Sequence, residues 1–385
     1  IMSGRDDAVR SVINILTGLG VFEGIGNMST LGMAVATHFG YRPPGPVVRI
    51  AQEDPPEFLG FERHGIPLDK IKEYGISRTS YEDAPTLWGM GAHSQPRVVD
   101  LLLKSARKYD LWDHPFFDEA KEQAMQLPTD GKMGKRLVKM GWEIESDRTL
   151  LGEVNKVTYR TPDFMLSAAQ DYRPGERGNQ HHVWQATFSP DAIVFTSNPG
   201  SPKTHDGHTP CYWGGDNRLP RVAQFENLAF ILYNINMSKA IGERHVFDFT
   251  HAFFPQWAFH EVREQDNWIF GRAGDAYAAL HSALEYAWQE PDSTFVHDAL
   301  AKGRKNIWIF LAGDKKSYGS FDEFVASVID AGLDADVEEL EVDFNAPGIG
   351  AASFSWDGPL VVDGEEIPLS GYKRVKNPYC EAEFN

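Results

Sequence analysis

The sequence contains no run of eighteen apolar residues, only two cysteines and no excess of basic residues. The first absence argues against a membrane-spanning helix, so we expect no membrane partner. The net charge of −18 argues against nucleic acid as a partner, because few cations are available to neutralise phosphates. Cys211 and Cys380 can pair or remain free, and two cysteines are too few to identify the compartment.

Several catalytic motifs are also missing. There is no Gly-x-Ser-x-Gly elbow, Walker loop, Cys-x-x-Cys pair or His-Glu-x-x-His helix. Their absence disfavours the hydrolase, nucleotide-binding, thiol-redox and metalloprotease chemistry that those motifs serve. Aromatic residues, in contrast, make up 12% of the chain and include ten tryptophans. Such rings suit stacking on sugars, and they suit the core of a large β-sheet equally well.

The first 148 residues carry mainly helical patterns, and a chain of 385 residues is long enough for two domains. Apolar residues recur at three- and four-residue steps within residues 8–16, 29–39 and 96–109. Residues 52–80 are rich in proline and glycine and are interpreted as loop. We therefore predict a helical domain over residues 1–148, either a bundle or part of an α/α toroid. Because the chain opens within a helical pattern, we expect the N-terminal part of this domain to be missing or to lie on another chain.

After residue 148 the pattern changes to short runs of β-branched and aromatic residues, such as His182–Phe188, Leu228–Tyr233 and Ile307–Leu311. About twelve such runs over residues 149–385 predict a large antiparallel β-sandwich. The capping box Ser320-Phe-Asp-Glu predicts one helix near residues 320–332. The expected fold class is therefore α+β and multidomain: a partial α/α toroid followed by a large antiparallel β-sandwich, or supersandwich.

Residues 163–227 are the best candidate for a functional site, because they hold four of the thirteen histidines among polar loops. His181 and His182 stand at the predicted start of a strand, between Gln180 and Trp184. A neutral histidine can transfer protons near neutral pH, so both are candidate catalytic residues. The alternative is one buried and one exposed histidine with structural roles. Gln180 and Trp184 are candidate substrate-binding residues.

The dipeptide Tyr172-Arg173 lies just ahead of these histidines. A neighbouring arginine can stabilise the phenolate of Tyr172, which makes this tyrosine a candidate acid or base. Arg173 can also bind a carboxylate of the substrate through two hydrogen bonds. The alternative is a plain turn, since Pro174-Gly175 follows.

The loop over residues 204–221 joins aromatic and polar groups. Tyr212 and Trp213 form a candidate stacking platform, and Asn217 and Arg218 are candidate substrate-binding residues. The alternative is a decorated surface loop. The His205-Asp-Gly-His208 cluster lacks a further ligand and is weak support for a metal.

Two more positions outside this region are candidates. In the helical part, His93 and Tyr81 are candidate catalytic residues that would line the face meeting the sandwich, while the acids at Glu82-Asp83 fit the start of a helix. His251 stands in an aromatic strand, where a histidine is either a core residue or a metal ligand.

The chain resembles the heparinase II/III-like polysaccharide lyases in its order of helices followed by a large β-sandwich with histidines in the first strands. In that family a His-x-His-x-Asp strand precedes a strand that ends in Asp-Pro-Gly. Here Gln180-His-His182-Val-Trp184 and Ser197-Asn198-Pro199-Gly200 stand at those places. The resemblance implies His182, Asn198 and His251 as ligands of a structural divalent metal, zinc or calcium, whereas catalysis requires no cofactor. Gln180, Trp184 and Asn198 depart from the family pattern.

The resemblance further implies β-elimination in a uronic-acid-containing polysaccharide, with an acidic polysaccharide or oligosaccharide as the partner. Such a lyase needs a base, an acid and a group that neutralises the uronate carboxylate. Two alternatives stay open: a glycoside hydrolase with two carboxylates on the same scaffold, and a non-catalytic carbohydrate-binding protein. We expect a secreted or periplasmic location, with a homo-oligomer as an option. Asn27 and Asn236 match glycosylation sequons.

Overall fold

The computed structural model describes residues 57–64, 108–110, 154–172, 183–189, 191–198, 219–235, 248–289, 298–378 and 380–382. The strands, in chain order, are β1 (Phe58–His64), β2 (Val154–Arg160), β3 (Met165–Gln170), β4 (Trp184–Thr187), β5 (Ile193–Ser197), β6 (Arg221–Phe225), β7 (Leu228–Asn234), β8 (Phe249–Phe253), β9 (Glu261–Gln265), β10 (Trp268–Ala273), β11 (Ala276–Ser282), β12 (Tyr286–Trp288), β13 (Asp298–Lys302), β14 (Lys305–Asp314), β15 (Leu333–Asp336), β16 (Glu341–Ala346), β17 (Gly350–Ser355), β18 (Leu360–Val362), β19 (Glu365–Ile367), β20 (Val375–Asn377) and β21 (Cys380–Ala382). A 3₁₀ turn (Gln256–Ala258) follows β8, and helices α1 (Lys315–Tyr318) and α2 (Phe321–Ile329) follow β14.

These strands form three sheets. The ten-stranded sheet has the order β12-β13-β8-β5-β4-β3-β2-β1-β20-β21. The six-stranded sheet has the order β6-β7-β14-β11-β10-β9, and the five-stranded sheet runs β15-β16-β17-β18-β19. Neighbouring strands pair antiparallel, as in the ladders β1–β2, β7–β14 and β16–β17. The β-sandwich predicted for the second part of the chain is therefore confirmed.

The six-stranded sheet is the middle of three layers. On β14, Trp308 and Phe310 point into the core shared with the ten-stranded sheet. Ile307 and Ile309 point the other way, into the core shared with α2 and the five-stranded sheet. Because both faces of this sheet are covered at its centre, strands β7, β11 and β14 are continuous buried runs without alternation, whereas the edge strand β9 is polar. The five-stranded sheet is itself covered on only one face, so β16 alternates between exposed and buried residues.

Helix α2 begins as its capping box predicts. The hydroxyl of Ser320 accepts a hydrogen bond from the backbone N–H of Glu323 at 3.2 Å and contacts the Glu323 carboxylate at 2.8 Å. Phe321, Phe324 and Val328 are buried against the middle sheet. The helix ends at Ile329, three residues before the predicted end at Gly332.

One part of the predicted organisation requires correction. Residues 58–64, interpreted as loop, form β1, which pairs with β2 along its whole length and with β20 near the C-terminus. Its partners lie far away in the sequence, so no local pattern marks the strand. Helices are few among the described residues, and an α/α toroid is not visible there. Most of the predicted helical domain (1–148) lies outside the described residues, and no helix in the described part is long and apolar enough to cross a bilayer.

Candidate functional site

The ten-stranded sheet has one apolar face and a second face on which polar residues lie among apolar ones such as Met165, Phe195 and Phe253. Leu166, Trp184 and Val194 point into the core shared with the six-stranded sheet. Successive residues of a strand point to opposite faces, so the ladder register assigns the remaining residues to the second face. We call this second face of β2, β3, β4, β5, β8 and β13 the polar face, and its polar residues are Lys156, Thr158, Arg160, Ser167, Gln185, Thr187, Ser197, His251 and Asp298.

Hydroxyl and amide groups lie together on the central strands of the polar face. Thr158 on β2 is opposite Ser167 on β3, and their hydroxyls are hydrogen-bonded. Ser167 is in turn opposite Gln185 on β4, whose Nε2 donates to the hydroxyl of Thr187 at 2.9 Å. Ser167 and Thr187 are buried, whereas Thr158 and Gln185 are only half-buried. Groups of this kind form hydrogen bonds with hydroxyl-rich ligands.

Charged groups flank these hydroxyls on β2. Lys156 forms an ion pair with Glu62 of β1. Arg160, which the register places on the same face, is only 7% exposed. A guanidinium is the side-chain group best suited to hold a carboxylate, because its N–H donors match the two oxygens.

A histidine and an aspartate meet at the other end of the polar face. Nδ1 of His251 on β8 lies 2.9 Å from Oδ2 of Asp298 on β13, and both side chains are fully buried. Ser197 on β5 is the ladder partner of His251 on the other side. The burial of this pair indicates a structural role, since an accessible proton-transfer group would retain some exposure.

Two of the three predicted metal ligands are within the described residues, and they are not brought together. Asn198 follows β5 directly, and its amide donates to the backbone oxygen of Phe249 at 2.7 Å. Strand alternation places Asn198 and His251 on opposite faces, since His251 is opposite Ser197. Within the described ranges, no three His, Cys, Asp or Glu side chains are grouped to hold a metal. His251 and Asp298 supply two donors, fewer than the three or four that zinc takes from a protein.

Trp184, predicted to bind substrate, is part of the core. It is fully buried, and its indole N–H donates to the hydroxyl of Thr196 at 2.9 Å. Thr196 also contacts the Tyr233 hydroxyl at 3.0 Å. Burial raises the pKa of Tyr233, which keeps this phenol protonated. Its buried location identifies Trp184 as a packing residue and gives no support to its predicted role in substrate binding.

Tyr172, predicted as an acid or base, also packs in the core between the ten- and six-stranded sheets and is 6% exposed. Its catalytic role therefore stays a prediction without support from its location. The other predicted site residues lie outside the described residues: Tyr81, His93, Arg173, Gln180, His181, His182, Tyr212, Trp213, Asn217 and Arg218. Their assignments remain predictions.

Asp298 and Arg160 were missed in the sequence. Asp298 opens the run Asp-Ala-Leu-Ala-Lys, whose alternation is typical of a strand, but nothing local indicates that its partner is His251. Arg160 is the last residue of β2. A prediction of strand register would have been needed to place either side chain on the polar face.

A second group of titratable residues lies at one end of the sandwich. The hydroxyl of Tyr159 donates to Glu57 at 2.6 Å, and Lys316 lies 3.5 Å from the same carboxylate. Burial, and then the charge of Glu57, raise the pKa of Glu226 in the β6–β7 turn. Burial, and then the charges of Asp314 and Asp275, raise the pKa of Asp163 in the β2–β3 turn.

Fold and site together define a layered antiparallel β protein in which one face of the largest sheet is polar. Comparison with protein-family models, with curated proteins and with solved structures found no match.

Proposed function

We propose that the polar face binds an acidic polysaccharide and that the protein is a carbohydrate-active enzyme, a lyase that cleaves a uronic-acid-containing polymer by β-elimination. The observation behind the proposal is a wide sheet whose polar face carries hydroxyl and amide groups, of which Thr158 and Gln185 are half-buried. Hydroxyls and amides suit sugar hydroxyls, and a guanidinium suits a uronate carboxylate.

β-Elimination removes the proton at C5 of the uronate and expels the oxygen at C4. In this proposal the predicted Arg173 neutralises the carboxylate, which makes the C5 proton more acidic, and Gln185 orients the sugar, whereas Arg160 is too buried to reach it. The base and the acid are the predicted His181 and His182, with His93 and Tyr81 as alternatives. Tyr172 is left out because it packs in the core. Secretion and glycosylation at Asn27 and Asn236 are compatible with such a substrate and remain predictions.

The test incubates the protein with uronate polysaccharides and measures both the absorbance of the unsaturated product and the formation of reducing ends. A lyase increases both signals together. Reducing ends without absorbance would contradict elimination and favour hydrolysis. Binding without either product would leave a non-catalytic carbohydrate-binding protein, the third class considered.

Gln185→Ala tests whether the polar face is the binding site. Loss of one or two hydrogen bonds to the sugar corresponds to about 1–1.5 kcal/mol, so we expect KM for the polymer to rise about ten-fold with little change in kcat. Gln265→Ala is the matched control, because Gln265 is exposed on the edge strand β9 and contacts only Asp266 through its amide. Equal KM values for the two variants would show that the substrate does not bind at the polar face.

Hydrolysis is the second candidate, and the carboxylates at the end of the sandwich favour it. A glycoside hydrolase needs one protonated and one ionised carboxyl group. The raised pKa of Glu226 fits the protonated partner, and Glu57 is a neighbouring carboxylate. Reducing ends that disappear in Glu226→Gln, without absorbance in either protein, would support this candidate over the lyase.

A further inference from the structure

His281 lies at the boundary between two layers of the fold. It stands on β11, where the register pairs it with Trp268 of β10 and Ile309 of β14. Its ring centroid is 4.9 Å from that of Trp268, and Trp268 packs at 5.7 Å against Phe344 of β16. The side chain therefore faces the core that the six-stranded sheet shares with α2 and the five-stranded sheet.

A positive charge on the ring of His281 is poorly solvated in the closed layers. The residue is 9% exposed, and its Nδ1 has no hydrogen-bond partner in the described part of the chain. Trp268, Ile309 and Phe344, from the three strands around it, carry no charge. Two ion pairs lie at the edges of this core, Lys305–Glu338 and Arg263–Asp322, and both are partly exposed to solvent.

We propose that His281 is an acid-sensitive switch whose protonation releases α2 and the five-stranded sheet, residues 321–367, from the six-stranded sheet. The imidazole takes one proton from solvent, and the resulting cation is stable only where water or an anion can reach it. Separation of the two layers provides that access, and it also breaks the hydrogen bonds from Arg221 to the backbone of residues 355, 356 and 358, so the opened state is a minor one that hydrogen exchange detects. The proposal is independent of the enzymatic function proposed above.

The pKa supports the direction of this switch. Burial lowers the pKa of His281 to about 4, from 6.5 for a free histidine. Between these values the opened state binds more protons than the closed state, so acid favours opening and neutral pH favours the closed layers. If opening restores the free value, the opening constant increases by roughly 100-fold when the pH falls from 7 to 4.

Carboxylates of like charge face each other on the exposed side of the five-stranded sheet. Asp334 is directly opposite Asp343, and Asp336 is opposite Glu341. Repulsion between these like charges opposes the pairing of β15 with β16, so His281 is not the sole ionisable group near this layer. An acid-induced opening must therefore be assigned to His281 by mutation.

The experiment is hydrogen exchange followed by mass spectrometry at pH 7 and pH 4.5, corrected for intrinsic exchange rates. We expect exchange in peptides from β15–β19 to accelerate at least ten-fold in acid, while peptides from β2–β5 change little. His281→Leu should abolish the acceleration, and His260→Gln, at an exposed histidine, should retain it. His281→Gln serves as a second variant if leucine disturbs folding.

Two results would overturn the proposal. One is the same acceleration in His281→Leu or His281→Gln as in the unmodified protein, which would assign the effect to other groups. The other is acceleration of β2–β5 together with β15–β19, which would indicate global unfolding. The switch is supported if both His281 variants lose the acid-induced acceleration of exchange in β15–β19 and His260→Gln retains it.

Discussion

At the scale of single residues, buried threonines accept hydrogen bonds from the indole N–H groups of tryptophans in the core between the ten- and six-stranded sheets. The hydroxyl of Thr250 accepts from Nε1 of Trp308 at 2.9 Å and from the amide of Asn306 at 3.2 Å. Thr196 accepts in the same way from Trp184. Each large indole can be buried because one hydroxyl accepts from its N–H group, from the facing sheet for Trp308 and from the neighbouring strand for Trp184. Polar residues within these aromatic strands are therefore structural.

Thr250→Val tests this role. The substitution keeps the shape but leaves two buried donors with one acceptor fewer, so we expect the free energy of unfolding to fall by about 1–3 kcal/mol. Urea denaturation followed by tryptophan fluorescence measures the change. Thr187→Val is the matched control, because the amide of Gln185 that Thr187 accepts from is only half-buried and can turn to water. Equal losses in both variants would contradict a specific role for the buried hydroxyl.

At the scale of elements, local patterns predicted the strands that bury a continuous or alternating set of side chains. The runs in β7 and β14 are apolar because both of their faces are covered, and this gives a strong signal in the sequence. The polar edge strand β9 and strand β1, whose partners are distant in sequence, give no comparable signal. Tertiary contacts, and not propensity, determine such strands.

The candidate site was less predictable than the strands. A strand assignment gives the two faces of each strand, but the identity of the partners across the sheet depends on register. The sequence indicated His251 as a candidate ligand and Asn198 as its neighbour, whereas the register brings Asp298 to His251. Trp184 was expected at the substrate because it stands between polar loops, yet alternation turns its side chain into the core. Both results depend on the sheet face to which a side chain points and on the strand register, and the local sequence determines neither.

Ser320→Ala tests the one helix whose start was predicted in detail. Removing the hydroxyl leaves the backbone N–H of Glu323 without its capping acceptor, and we expect a loss of about 1 kcal/mol in the free energy of unfolding. Ser320→Asp should retain most of the stability, because a carboxylate at this position also accepts from the first turn. Thermal or urea unfolding provides the comparison. A loss in Ser320→Asp as large as that in Ser320→Ala would exclude capping as the cause.

At the scale of the whole molecule, a few polar side chains connect the three layers. Gln170 of β3 forms two hydrogen bonds of 2.8 Å with the backbone of Gln224 in β6, which joins the ten-stranded to the six-stranded sheet. Arg221 of β6 contacts all three layers. Its guanidinium pairs with Asp171, which follows β3, and donates to the backbone oxygens of Ser355, Trp356 and Gly358 at the end of β17.

The contacts of Arg221 explain why an arginine can be buried at this point. Its guanidinium also stacks on the ring of Phe354 at 4.4 Å, and the side chain is 8% exposed. Five N–H donors in a plane are distributed between a carboxylate and three carbonyl oxygens, an arrangement that the single ammonium of lysine cannot reproduce. Arg221 therefore fixes the relative position of the layers through one side chain.

Arg221→Met should keep the aliphatic packing and remove every one of these hydrogen bonds. It leaves the carbonyls at residues 355, 356 and 358 and the carboxylate of Asp171 without their donor, so we expect a loss of about 3–5 kcal/mol in the free energy of unfolding. Asp171→Asn should cost less, since this side chain is 29% exposed and the amide oxygen still accepts from Arg221. Urea unfolding of both variants gives the ranking, and an Asp171→Asn loss that equals the Arg221→Met loss would show that the ion pair, and not the carbonyl contacts with the five-stranded sheet, is the main connection.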